Sequence, residues 1–116
     1  MKICQLAQII DAQFVCGEEN KDKEISSAFA CDLMSDVLAY VNESNGVLLS
    51  GLANPQVVRT AAMMDMSCVV LVRNKMPDQK TIELAKQNGI VLLQCQHNMY
   101  TACGLLYNAG LMGDRG

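Results

Sequence analysis

Three times after residue 46 the chain repeats one cadence: a short apolar run, a polar turn, then an amphipathic segment of about ten residues. Gly46-Val47-Leu48-Leu49-Ser50-Gly51 leads into Asn54-Pro55 and a stretch to Asp65. Cys68-Val69-Val70-Leu71-Val72-Arg73 leads into Pro77-Asp78 and a stretch to Gly89. Ile90-Val91-Leu92-Leu93-Gln94-Cys95 leads into Asn98 and a stretch to Gly110. Runs so uniformly apolar leave no face for water, so each reads as a strand covered on both sides. Alternation with helical segments then predicts an α/β fold, a mostly parallel sheet flanked by helices.

The first half is less regular. Ile3, Leu6, Ala7 and Ile10 share one helical face and predict a helix from Lys2 to Asp11. A strand is expected from Ala12 to Cys16, closed by Gly17, and another from Ile25 to Cys31. The charged stretch from Glu18 to Lys23 reads as a solvated turn. Asp32 is expected to cap a helix from Leu33 to Val41, its carboxylate accepting from the unpaired amides of the first turn. Asn54-Pro55 pairs a capping residue with the residue best suited to the first helical position. Val57, Val58, Ala61, Ala62 and Met64 then form the inner face. Pro77 or Asp78 opens the next helix, and Asn88-Gly89 stops it with a left-handed turn. The last helix holds Tyr100, Cys103, Gly104, Leu106 and Tyr107, and the tail from Met112 to Gly116 is expected to fray. No linker interrupts the chain, so residues 1–116 read as one domain.

Composition narrows the functional classes. A net charge of −3 without any basic tract argues against nucleic acid, whose phosphates need clustered Lys and Arg. No apolar run approaches the roughly 18 residues of a membrane span, and no signal peptide opens the sequence. A cytoplasmic protein with no membrane partner is expected. The six cysteines include no Cys-x-x-Cys pair, and Cys4, Cys16, Cys31, Cys68 and Cys103 sit in or beside apolar runs. They read as reduced thiols in a reducing cell. With eight methionines and no tryptophan, such a chain suits an anaerobe.

Ligands of an open parallel sheet bind outside the carboxyl ends of its strands, where helix amino termini point. Cys31-Asp32, Ser50-Gly51-Leu52-Ala53-Asn54, Arg73-Asn74-Lys75 and Cys95-Gln96-His97-Asn98 mark that edge. Each turn is expected to offer backbone amides, and Arg73 and Lys75 add positive charge, which favours an anionic small molecule. The candidate ligand-binding residues are Asp32, Ser50, Gly51, Asn54, Arg73, Asn74, His97 and Asn98. Ordinary caps and turns explain the same residues without a ligand. Gly51 would let a phosphate approach the backbone, yet the chain holds neither Gly-x-x-x-x-Gly-Lys-Ser/Thr nor Gly-x-Gly-x-x-Gly.

No catalytic residue, metal ligand set or cofactor is assigned. His97 lies two residues after Cys95, a spacing that allows a nucleophile–base pair or two metal ligands. A third orienting or ligating group is missing from the pattern, so a helix-cap or surface imidazole is the better reading. Asp32 and Asp36, four apart, would face each other on one helix, as a catalytic carboxylate pair does; a cap and a solvated carboxylate are the better reading. The cluster Met63, Met64 and Met66 reads as core or subunit contact.

These residues carry a family resemblance. The order of helix, short strand, a strand ending in Asp32-Leu33-Met34-Ser35-Asp36-Val37-Leu38, then three strand–helix units resembles the DRTGG domain over about Lys2 to Leu111. That domain is similar to the amino-terminal domain of HPr kinase/phosphorylase and, more distantly, of Mur ligases, which implies the same fold here. The chain departs from the family's two namesake turns, with Ser50-Gly51-Leu52 at the Gly-Asp-Arg position and Arg73-Asn74-Lys75 at the Thr-Gly-Gly position. The resemblance implies a non-catalytic ligand-binding or regulatory module. An amphipathic last helix carrying Tyr100, Leu106, Tyr107 and Met112, together with a methionine-rich surface, adds the expectation of a homodimer. The alternative it implies is an accessory interaction module serving iron-only hydrogenase or iron–sulfur systems, with a hydrogenase-related protein partner. A phosphotransfer enzyme is disfavoured, because in HPr kinase the phosphate-binding loop belongs to a separate domain.

Overall fold

The computed structural model of the protein describes residues 1–115. Strands β1 (Gln13–Cys16), β2 (Ala28–Ala30), β3 (Val47–Ser50), β4 (Cys68–Leu71) and β5 (Val91–Gln94) form one sheet in the order β1-β5-β4-β3-β2. Strands β2 to β5 are parallel neighbours, in register from Ala28↔Val47 to Cys68↔Val91. The edge strand β1 joins β5 antiparallel, with an irregularity between Phe14 and Cys16. The helices are α1 (Ile3–Ile9), α2 (Met34–Tyr40), α3 (Pro55–Met63), α4 (Gln79–Gln87) and α5 (Met99–Asn108), and Glu18–Asn20 makes a short 3-10 turn.

Successive side chains on a strand point to opposite faces, and here both faces are covered. Val47, Leu49, Cys68, Val70, Val91 and Leu93 pack with Leu6, Ile10, Ala102 and Leu106 beneath α1 and α5. Leu48, Val69, Leu71 and Leu92 pack with Val37, Val57, Val58, Ala61 and Ala85 beneath α2, α3 and α4. The result is the expected helix–sheet–helix sandwich, with β3 and β4 buried at every position.

The helix starts follow the local chemistry. Asn54, Asp78 and Asn98 each accept from the amide three residues on, at Val57, Thr81 and Thr101. Gly89 stops α4 with φ +66°, and Asn45 and Asp65 take the same left-handed conformation before β3 and β4. These stops line a polar concavity of ≈ 440 Å³ at the amino ends of the strands. It is a by-product of three adjacent helix-to-strand turns, and it lies on the edge opposite the candidate site.

Several local expectations are corrected. Strand β2 is shorter than Ile25–Cys31, because the Ile25 and Ser26 amides donate to Met1 O and Asn45 O instead of a ladder. Asp32 does not cap α2: the helix begins at Met34 after Leu33, with no side-chain cap. The proposed Asp32–Asp36 helical pair therefore does not exist, since only Asp36 lies on the helix. The Met63–Met66 cluster divides, with Met66 buried and Met63 70% exposed. The tail does not fray over its described part. Ala28 N donates to Met112 O, Asp114 N donates to Ala28 O, and the Asp114 carboxylate accepts from Asn42 N and Glu43 N. This strap covers the outer edge of β2; Gly116, also assigned to the tail, lies outside the described residues.

Candidate functional site

The exits of β2, β3, β4 and β5 gather along one edge because the four strands are parallel and in register. At the β2 exit, Asp32 reaches the β3 exit. Its Oδ1 accepts from Ser50 Oγ at 3.0 Å and from Gly51 N at 2.6 Å. Ser50 is fully buried, and its Oγ also accepts from Leu52 N at 3.2 Å. A buried hydroxyl in a low-dielectric position needs such partners, so the carboxylate fixes the β3 turn.

The β4 exit is a pair of left-handed residues, Arg73 (φ 59°) and Asn74 (φ 56°). A non-glycine residue rarely adopts this conformation, and main-chain bonds to the next exit hold it in place. Arg73 N donates to His97 O and Asn74 N to Cys95 O, both at 2.8 Å. Gln94, the polar residue ending β5, donates from Nε2 to Asn74 O at 3.3 Å and Lys75 O at 3.0 Å. Sequence reading did not single out Gln94; its signal was a lone amide closing an otherwise apolar strand.

This turn throws the Arg73 side chain back over the β3 exit. A β-carbon on Gly51 would collide with the Arg73 guanidinium and would lie 3.5 Å from Asp32 Oδ1. Glycine at 51 thus makes room for arginine, not for a ligand approaching the backbone. Among the described residues the guanidinium has no ion-pair or hydrogen-bond partner. Lys75 is exposed at the same exit, so the lip offers two cations beside one carboxylate.

The structure therefore brings Asp32, Ser50, Gly51 and Arg73 into one cluster and ties Asn74 and His97 to it through main-chain bonds. The carbonyls of Asn54 and Asn98 are engaged as helix caps. The expectation of unpaired amides at every turn is corrected, because those of Gly51, Leu52, Arg73 and Asn74 all donate within the protein. The crevice between the β4 and β5 exits, where α4 and α5 leave for opposite faces, is bridged by two of those bonds. The open part of the lip is shifted toward β3.

Cys95 is buried, and its Sγ faces His97 O at 3.8 Å rather than the imidazole. Burial raises its thiol pKa, and hydrogen bonding from the His97 backbone opposes this only in part. A thiol held protonated is a poor nucleophile. No cluster of three or more His, Cys, Asp or Glu suited to a metal occurs among the described residues.

A DRTGG-domain model matches residues 5–109. The chain belongs to the DRTGG-domain family. No curated protein matches it in sequence. Among solved structures the DRTGG chain is similar to the CBS and DRTGG domains of the regulatory region of Clostridium perfringens pyrophosphatase, complexed with the activator diadenosine tetraphosphate. The TM-score is 0.73 at 16% identity, covering 99% of this chain and 51% of that one, so it spans about half of that regulatory region. At this identity the likeness speaks for the fold: the α/β DRTGG sandwich is shared. No helix among the described residues is long and apolar enough to cross a membrane.

Proposed function

We propose that this protein is a non-catalytic regulatory module of DRTGG type that binds an anionic small molecule and works as a cytoplasmic homodimer, with residues 1–116 acting as one domain. The observation that carries the reading is the unpartnered guanidinium of Arg73, laid across Gly51 beside a turn that Asp32 holds rigid. A planar fork of donors on a rigid lip suits bidentate recognition of a phosphate group. Asp32, Ser50 and Gly51 set the lip's shape, Arg73 with Asn74 meets the anion, and Asn54, His97 and Asn98 frame the neighbouring exits. The similar regulatory region from Clostridium perfringens, bound to a phosphate-rich activator, supports the class of ligand. The same cluster lacks an activated nucleophile or a poised general base, which is why binding is preferred to turnover.

The test is a thermal-shift and calorimetric series with orthophosphate, pyrophosphate, ATP and diadenosine tetraphosphate. At least one phosphate compound is expected to raise Tm in the wild type and to lose its effect in Arg73→Gln. A flat response to the whole series, or an unchanged response in the variant, would remove the reading.

A further inference from the structure

We infer that the outer face of α5 is the surface through which two copies of this chain pair about a twofold axis, an inference that rests on the homodimer of the proposed function. Ala102 and Leu106 bury the inner face of α5. Tyr100, Cys103, Gly104 and Tyr107 recur at helical spacing on the other side, with Tyr100 89% and Tyr107 62% exposed. A helix apolar on both sides is ordinarily covered on both sides. Two concavities meet along this stripe. One, of ≈ 660 Å³, runs along α5 itself. The other, of ≈ 150 Å³, is apolar and lies between α5, Ala28, Leu49 and Leu111. Cys103 and Tyr107 line both.

Charge selects the occupant. From Gln96 to Gly113 the chain carries no Asp, Glu, Lys or Arg, although its net charge is −3. A twofold axis sets each residue near its own copy, so any charge close to the axis meets its like. An uncharged stretch escapes that repulsion, and it offers a foreign partner no complementary charge to be steered by. Gly104 supplies the centre. A β-carbon there would meet nothing within 4 Å, so the backbone is open to a second helix. Antiparallel packing across it lays Tyr100 of one copy, four residues before the glycine, beside Tyr107 of the other, three residues after it.

Sedimentation equilibrium at low micromolar concentration tests this on the full chain. The wild type is expected near twice its 12.6 kDa mass. Gly104→Glu places a carboxylate in open space but sets two of them at the axis, so it is expected at 12.6 kDa with an unchanged circular dichroism spectrum. Tyr107→Glu serves as a second variant with the same expectation, and Met63→Glu on α3 is expected to stay dimeric. A monomeric wild type, or both α5 variants remaining dimeric, would overturn the proposal. Loss of pairing in Met63→Glu with both α5 variants dimeric does the same. Pyrophosphate thermal shifts on monomeric Gly104→Glu read the ligand proposal separately, because Arg73 lines neither of the two concavities along α5.

Discussion

The guanidinium of Arg73 occupies the space that a side chain at Gly51 would need. Two neighbouring strand exits are thereby joined, and a positive group is held over the Asp32 carboxylate's turn from the next strand. Because the obstructing atoms are the far end of a flexible side chain, Gly51→Ala is expected to fold normally and to change stability by less than about 1 kcal/mol. The arginine must swing away, so any phosphate affinity is expected to fall about tenfold or more. Calorimetry with pyrophosphate, beside urea unfolding, separates the two effects. Equal affinity for Gly51→Ala and wild type would show that the crossing is incidental.

Asp32 accepts two hydrogen bonds through one oxygen, one of them from the buried Ser50 hydroxyl. Asp32→Ala leaves that hydroxyl and the Gly51 amide short of a partner and is expected to destabilise by about 1–3 kcal/mol. Asp36→Ala, on the first turn of α2, removes no such bond and is expected to cost much less. Chemical denaturation of both variants makes the comparison, and equal losses would contradict the assigned role.

A pH effect is expected at the start of α4. Hydrogen bonds from the Thr81 hydroxyl and amide hold the Asp78 carboxyl below the usual carboxylate range. A depressed folded-state pKa means that the unfolded chain takes up the proton first as acid is added. The stabilisation is therefore complete above the unfolded value of about 3.9 and disappears as pH falls through the lower folded value. The stability gap between wild type and Asp78→Ala should be widest near neutrality and close in strong acid. A gap that stayed constant from neutral to strongly acidic solution would argue against this cap.

The thiols are expected to react in a set order. Cys68 is completely buried in β4 and burial drives its pKa far up, while Cys4 and Cys31 are partly accessible. Alkylation of the native protein followed by peptide mass mapping should leave Cys68 unmodified longest. Early labelling of Cys68 would mean that β4 opens far more readily than its position implies.

At the far end of the chain, Asp114 accepts from Asn42 N and Glu43 N, which fastens the strap to the α2–β3 turn. Asp114→Ala is expected to cost about 1–2 kcal/mol and to raise hydrogen exchange at Ala28, whose amide donates to Met112 O. Unchanged protection at Ala28 would show the strap docks without that carboxylate.

What the sequence made legible was whatever is encoded locally. The runs at 47–50, 68–71 and 91–94 had to be buried strands, and Asn54, Pro77 or Asp78, and Asn98 had to open helices, because period and capping chemistry lie within a few residues of each other. Asp32 was misread for the opposite reason. An acid just ahead of an amphipathic segment looks like a cap, while its actual partners, Ser50 and Gly51, lie 18 and 19 residues away. The tail was misread likewise, since nothing in Met112-Gly113-Asp114 betrays a ladder with Ala28. The edge carrying the candidate residues was foreseeable from parallel topology alone. That Arg73 folds back over Gly51 was not, because it follows from two consecutive left-handed residues with no glycine to announce them.

The ladder between Ala28 and the strap has a bearing on biogenesis. As the polypeptide leaves the ribosome, β2 can pair with β3 early but stays bare along its outer side until residues 112 to 114 emerge. During that interval a sister molecule's strap could seat there instead, exchanging ends between two nascent chains.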